Sequence, residues 1–277
     1  MVDLAVNYLP APGSGERAPM LALETSGRAL AVALWGAKGL ILEKRVQDGA
    51  RHGVALAPIS RQLLDLAKLD VRDLSGMAVS IGPGSWTGLR IGLAAAKTMA
   101  WAAGIQLVPT PSFEALAVAA REVAELKTQG RESPAAVLTV RNAYSEGCFA
   151  ALFAPGKDSV SGLRRLIPEC VCRPEDLADL VRATFHEAGL SGSILLAGDA
   201  TCLEQLKESA RVEGWWALDG MEEIPAGVIA RLGWEMLNSG RALKTPAEIH
   251  AASPLYLRAS DPELKLKRKQ EERGTDG

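Results

Sequence analysis

Histidine is nearly absent: the chain has three among 277 residues, His52, His186 and His250. They lie too far apart for a local H-x-x-x-H ligand pair, so a zinc hydrolase signature is excluded and no metal site is expected. Cysteine is scarce as well, and Cys148, Cys170, Cys172 and Cys202 show no paired metal spacing. Cys170-x-Cys172 lies in an alternating, strand-like segment, so the four read as structural thiols in a reducing cytoplasm. No basic start with a long apolar run marks a secretion signal. Lys38 and Lys97 break the longest apolar stretches well short of a membrane span, and no membrane partner is expected. A net charge of −2 gives no reason to expect nucleic acid as the principal partner. Nor does Ser85 sit in a nucleophile elbow, because Gly84 directly precedes it where Gly-x-Ser-x-Gly wants another residue between.

What is present begins with apolar bulk. A hydrophobic share of 48% supplies a core for one large domain or two smaller ones. The chain is organised around Gly82-Pro83-Gly84-Ser85-Trp86-Thr87-Gly88-Leu89-Arg90-Ile91-Gly92. The segment before it, Met77 to Ile81, reads as a buried strand. The proline-free, Ala- and Leu-rich run after it, to Ala103, reads as a helix ending at Gly104. Ser85 or Thr87 can cap that helix. Strand, glycine turn and helix is also the geometry that aims backbone donors at an anion. Gly88, Gly92, Ala96 and Ala100 recur every fourth residue, leaving one helix face almost bare. Helical glycines cost about 1 kcal/mol each against alanine. Something must therefore pack very close, either a neighbouring element of the domain or another subunit.

Residues 1–19, with Pro10, Pro12, Gly13, Gly15 and Pro19, read as a disordered extension. Strands are expected at Leu21–Glu24, Ala29–Trp35 and Leu40–Val46, followed by a helix over Val54–Leu69 bent or opened by Pro58. Strand 77–81, the glycine-motif helix, a strand at Gln106–Val108 and a helix opening at Thr110-Pro111 complete the first half. The order then recurs: strands at Ala135–Val140, Cys148–Phe153 and Leu163–Cys172, a helix from Arg173-Pro174, strand Ile194–Ala197, helix Thr201–Val212, strand Trp215–Leu218 and helix Ala226–Leu237. Both halves read βββαβαβα, which predicts a duplicated α/β architecture with a cleft between its lobes. The expected boundaries are 20–128 for the first lobe, 129–260 for the second and 261–277 for a charged tail.

Several of these residues are familiar together. Leu21-Ala22-Leu23-Glu24-Thr25-Ser26, Arg51-His52, the glycine motif and Pro254-Leu255-Tyr256-Leu257-Arg258 resemble the TsaB (YeaZ) family of bacterial tRNA-modification proteins. The resemblance runs from Met20 to Arg258 and is densest in the first half. It implies the duplicated α/β fold of actin, heat-shock chaperones and sugar kinases (ASKHA), in agreement with the repeat. It implies a non-catalytic partner of TsaD, the subunit that transfers a threonylcarbamoyl group to the adenosine beside the anticodon. Thr110 to Ala115, where that catalytic homologue carries its metal histidines, contains none. The expected heterodimer interface is Gly88, Arg90, Gly92, Ala95, Ala96, Met99 and Ala100 with Ile59 and Leu63. Arg90 is expected as a clamp near the turn or as a surface salt bridge. A TsaE homologue is a further implied partner, tRNA is met only through the complex, and the same face could pair two copies of the chain alone. No catalytic residue or cofactor of its own is expected, with at most weak ATP or ADP binding at a shared interface.

The rival reading is a small-molecule kinase or ATPase of the same fold, with Glu24, Thr25, Ser26, Gly82, Pro83, Gly84, Ser85 and Thr87 as nucleotide loops rather than plain turns. Glu24-Thr25-Ser26-Gly27 and Gly198-Asp199-Ala200-Thr201 both follow strands, but Gly27 is the first loop's only glycine. His52 is expected to make a helix-start hydrogen bond, with a functional role as the alternative. Compared with the family, Glu24 stands for Asp, Trp86 for Phe, and Arg141-Asn142-Ala143 for Asp-Ala-Arg, a change in the second-half wall of the cleft.

Overall fold

The structure, a computed structural model, describes residues 2–6, 17–47, 52–129, 133–143, 147–157, 159–210, 214–218 and 220–257, with 2–6 and 209–210 as backbone alone. In chain order the elements are β1 (Val2–Val6), β2 (Met20–Glu24), β3 (Leu30–Gly36), β4 (Gly39–Val46), α1 (His52–Ala67), a short 3-10 turn (Val71–Asp73), β5 (Gly76–Ser80), α2 (Trp86–Ala103), β6 (Gln106–Thr110) and α3 (Ser112–Lys127). The second half has β7 (Ala136–Asn142), β8 (Cys148–Pro155), β9 (Leu163–Cys172), α4 (Pro174–Glu187), β10 (Ile194–Gly198), α5 (Ala200–Ala210), β11 (Trp215–Ala217), α6 (Ala226–Asn238) and α7 (Pro246–Ala251).

Sheet 1 has the order β1-β4-β3-β2-β5-β6 and sheet 2 the order β11-β10-β7-β8-β9. Leaving out β1, the two sheets have the same order, each with an antiparallel three-strand meander and two parallel strands added by crossover helices. The expected βββαβαβα repeat is therefore present in both halves.

Alternation along the strands sorts the side chains into layers. Leu21 and Leu23 of β2 join Met77 and Val79 of β5 beneath α1 and α2. Met20, Ala22 and Ala78 point the other way, into a central layer with α3 and α6. On sheet 2, Leu138 and Val140 face α4 and α5, while Val137 faces the central layer. The middle of the molecule thus exchanges helices between halves: α6 packs on β2, β3 and β5 of sheet 1, and α3 packs on β7 and β10 of sheet 2. The expected boundary at 128/129 separates the two sheets but not the layers they share.

Two expectations are corrected by the structure. Val2–Val6 is a strand, β1, laddered antiparallel to β4 from Val2↔Val46 to Val6↔Leu42. The first part of the expected disordered extension is thus an edge strand, whose Val2, Leu4 and Val6 have the strand period; residues 7–16 lie outside the described residues. Helix α3 begins at Ser112, not at Pro111, because the Thr110 hydroxyl bonds back to the Val108 carbonyl oxygen (3.3 Å) instead of capping. Of the two places expected for Pro58, the structure has it inside α1, six residues past its start, rather than in the first turn. The charged tail, Arg51 and Arg258 also lie outside the described residues.

Candidate functional site

The glycine motif is a clamped joint. Ser85 caps α2, its hydroxyl accepting from Gly88 N–H (3.2 Å). The Gly82 N–H donates to Ser112 Oγ (2.9 Å), and the Ser112 N–H returns a bond to the Gly82 carbonyl (2.9 Å). Ser85 N–H donates to the Ser26 carbonyl (2.8 Å) and Leu255 N–H to the Ile81 carbonyl (2.7 Å). The expected Pro-Leu-Tyr segment therefore closes on the motif. Its Tyr256 ring stacks on Trp86 with centroids 4.0 Å apart, and the Arg90 guanidinium stands 5.8 Å from the centroid of the Trp86 ring. Arg90 makes this cation–π contact; among the described residues neither the hydrogen-bonding clamp nor the salt bridge expected of it is present.

The bare face of α2 meets its own sheet. A Cβ on Gly88 would stand 2.0 Å from the Thr25 carbonyl oxygen, and one on Gly92 2.1 Å from Thr25 Oγ1. Ala96 and Ala100 are fully buried in the same cluster, with Ile59 and Leu63 of α1. These six residues, expected at a partner interface, are internal packing: the small face lets α2 lie close against Thr25, just past β2. Of the expected interface, Arg90 is exposed and Ala95 and Met99 are half-buried.

Four N–H groups of the turn after β2 are occupied. Thr25 N–H donates to Ser80 Oγ (3.3 Å) and Ser26 N–H to Glu24 Oε1 (2.6 Å). Arg28 and Ala29 N–H both reach Glu223 Oε1, at 3.1 and 3.3 Å. Glu223 arrives from the second half through the space left by Gly27, where a Cβ would stand 2.1 Å from Glu223 Oε2. Burial pushes the Glu223 carboxyl up from its ordinary pKa, and the Arg141 charge opposes that shift. Arg141 itself is buried and crosses the cleft, donating to Ser26 Oγ (2.8 Å) and to the Glu222 carbonyl (3.4 Å). Gly84 lies against this contact, since a Cβ there would meet the Ser26 carbonyl at 2.4 Å. On the opposite wall Asp199 Oδ2 accepts from Asn142 N–H (2.8 Å). Glu24 Oε2 and Thr25 Oγ1 are buried without a hydrogen-bond partner among the described residues. The candidate nucleotide loops are thus a polar seam between the halves, with Arg141 and Glu223 where phosphates would compete for the same donors.

Arg141 and Glu223 were not singled out as site residues from sequence. Arg141 was marked only as part of the departure from the family in the second-half wall of the cleft, with no role assigned; Glu223 had no signal, lying in an irregular acidic segment. A second carboxylate from sheet 1, Glu43, caps α6 by accepting from Ala226 N–H (2.8 Å), which Pro225 leaves uncapped. Burial likewise raises the Glu43 pKa. His52 opens α1 as expected, buried, but its Nε2 has no partner among the described residues. His186 and His250 lie in the last turns of α4 and α7. Among the described residues no group of His, Cys, Asp and Glu is arranged to hold a metal, and no helix is long and apolar enough to cross a membrane.

The outward face of α1 and α2 remains. Val54 is 75% exposed, Leu66 50% and Trp101 68%. Ala57, Pro58, Ala94 and Ala102 are also exposed, and the half-buried Ile91 lies where the helices touch.

A family model described as TsaD, tRNA N6-adenosine threonylcarbamoyltransferase, matches residues 47–190, just over half of the chain. The tRNA threonylcarbamoyladenosine biosynthesis protein TsaB of Bacillus subtilis is 25% identical over 248 residues, 89% of this chain and 96% of that protein. A tRNA N6-adenosine threonylcarbamoyltransferase of Streptococcus thermophilus is 33% identical over 117 residues, which span 42% of this chain but 33% of the transferase. Among solved structures, YeaZ from Pseudomonas aeruginosa superposes with a TM-score of 0.68 at 21% identity, over 87% of this chain and 100% of that one. With two like-ordered sheets and exchanged central helices, this chain has the duplicated actin-like α/β fold; it belongs to the TsaD-type threonylcarbamoyltransferase family and, within it, to the TsaB (YeaZ) branch.

Proposed function

We propose that this chain is a non-catalytic subunit that pairs through its first lobe with a TsaD homologue and supports threonylcarbamoyl transfer to the adenosine beside the tRNA anticodon. The observation that carries the reading is the apolar outer face of α1 and α2, where Val54 and Trp101 are 75% and 68% exposed. Large apolar side chains left this exposed on a folded surface are candidates for an interaction site. The stretch matched by the transferase family model includes both helices, so a homologous partner would present a like pair of helices to them. A standard interface of roughly 800 Å² per partner is within reach of two helices of this length.

In this reading the chain works in the cytoplasm, forms a heterodimer, and meets tRNA and a TsaE homologue through the complex. Two copies pair by the same face when TsaD is missing. Any ATP or ADP is held at the seam with the partner. A kinase acting in its own cleft is disfavoured by the turn after β2, where the N–H groups of Thr25, Ser26, Arg28 and Ala29 are already taken up by Ser80, Glu24 and Glu223. The test is capture and reconstitution. The tagged chain should retain its own cell's TsaD homologue in equal amount, and threonylcarbamoyladenosine formation should require both. A magnesium-dependent ATPase of the lone chain that Glu24→Ala abolishes would overturn the proposal in favour of the kinase.

A further inference from the structure

Glu223 fills a place built for an anion. Its Oε1 accepts from the N–H groups of both Arg28 and Ala29, at 3.1 and 3.3 Å, so two backbone donors converge on one oxygen. Its Oε2 lies where a Cβ on Gly27 would go, and Arg141 Nη2 stands 3.4 Å from that same position. The missing side chain of Gly27 thus leaves room for a negative group beside a guanidinium. Arg141 is 5% exposed, and its hydrogen bonds go to the Ser26 hydroxyl and the Glu222 carbonyl, neither of them charged. A buried cation bonded to neutral groups draws an anion toward it. Two carboxylates answer that demand: Glu24, through the Ser26 hydroxyl that it accepts from, and Glu223 beside Gly27.

The Glu223 side chain can leave this place while its backbone stays. Met221 and Ile224, on either side of it, are buried in the central layer, whereas Glu223 is half-buried. The apolar pair anchors the segment, and a change of rotamer is enough to vacate the turn. Burial pushes the Glu223 carboxyl up from its ordinary pKa; the Arg141 charge and the Ala29 bond oppose this, and the Glu24 charge adds to it. The carboxylate therefore holds its position against a desolvation cost that its return to water recovers.

We propose that the turn after β2, together with Arg141, is a binding site for a small oxyanion, and that Glu223 is the internal group that keeps it closed until such an anion takes its place. The ligand class follows from the group displaced, since two N–H donors and a guanidinium suit the oxygens of a carboxylate or a phosphate alike. Glu24 does not bar the exchange, because Glu223 already brings a negative charge to the same place. The device is one of binding, and no turnover is attached to it.

The test titrates the full chain with inorganic phosphate at constant ionic strength and follows the Arg28 and Ala29 amide signals by nuclear magnetic resonance. Glu223→Ala should bind phosphate about tenfold more tightly than the unaltered chain, because the internal competitor is gone. Glu223→Gln, which keeps an acceptor but no charge, serves if the alanine variant melts early. Adding Gly27→Ala to either should abolish the binding, since the new Cβ fills the place of the lost carboxylate. Adding Arg141→Met instead should abolish it by removing the charge. Equal affinity with and without Glu223 would overturn the proposal. So would phosphate binding that survives Gly27→Ala or Arg141→Met. None of these outcomes depends on pairing with a transferase.

Discussion

At Gly88 and Gly92 a hydrogen atom is all that fits between α2 and the Thr25 residue, whose backbone oxygen and hydroxyl lie where a Cβ would go. On an exposed helix, Gly→Ala would stabilise by about 1 kcal/mol. Here Gly88→Ala should destabilise instead, because its Cβ meets backbone, which yields less than the end of a side chain. Gly92→Leu should lower stability by about 1–3 kcal/mol or more, with any loss of partner binding secondary to that. Thermal unfolding of both variants measures the effect. A fully stable Gly92→Leu that no longer binds the partner would return the small face to an interface. The spacing of these residues was legible in the sequence, and so was the conclusion that something lies close. Whether a sheet or a partner lies there is a tertiary fact that helical periodicity does not carry.

At the scale of elements, alternation and turn residues made the strands and their repeat legible, because both are local properties of the chain. The exchange of α3 and α6 between halves was not. The face of α6 that meets sheet 1 includes Ala226, Ala230 and Gly233, and a Cβ on Gly233 would stand 2.5 Å from the Ala78 Cβ. The sequence showed an amphipathic helix there but not which sheet would receive it. Strand β1 was missed for another reason: the proline and glycine content of residues 1–19 as a whole outweighed five alternating residues at their start. Removing residues 1–18 should therefore strip the outermost ladder from sheet 1 and expose the β4 edge. The truncated protein should melt several degrees lower and aggregate more readily than the full chain. An unchanged melting temperature and solubility would show that the ladder contributes nothing to stability, as a disposable extension would have it.

For the whole molecule, the site divides into a seam that holds the halves together and an exposed face that covers no other element among the described residues. Arg141 and Glu223 belong to the seam, where they bind the turn after β2; their side chains act across a cleft that no local pattern describes. Trp101 and Val54 belong to the face. Their positions on amphipathic helices were legible, but their significance depended on finding the opposite faces already filled by sheet 1. Because the Trp101 side chain is largely exposed, Trp101→Ser should leave the melting temperature almost unchanged. If the ring is an anchor at the centre of the partner interface, its loss should cost about 2–4 kcal/mol of binding, or at least thirtyfold in affinity. Val54→Ser, on the neighbouring helix, should weaken the same binding by less, since it removes a smaller side chain. The two variants together with Gly88→Ala give opposite signatures: lost affinity with a stable fold on the outer face, lost stability on the inner one. Titrating each against the TsaD homologue by calorimetry, beside a thermal melt, separates them. Full affinity in Trp101→Ser would place the partner elsewhere on the molecule and leave the exposed ring without a role in pairing.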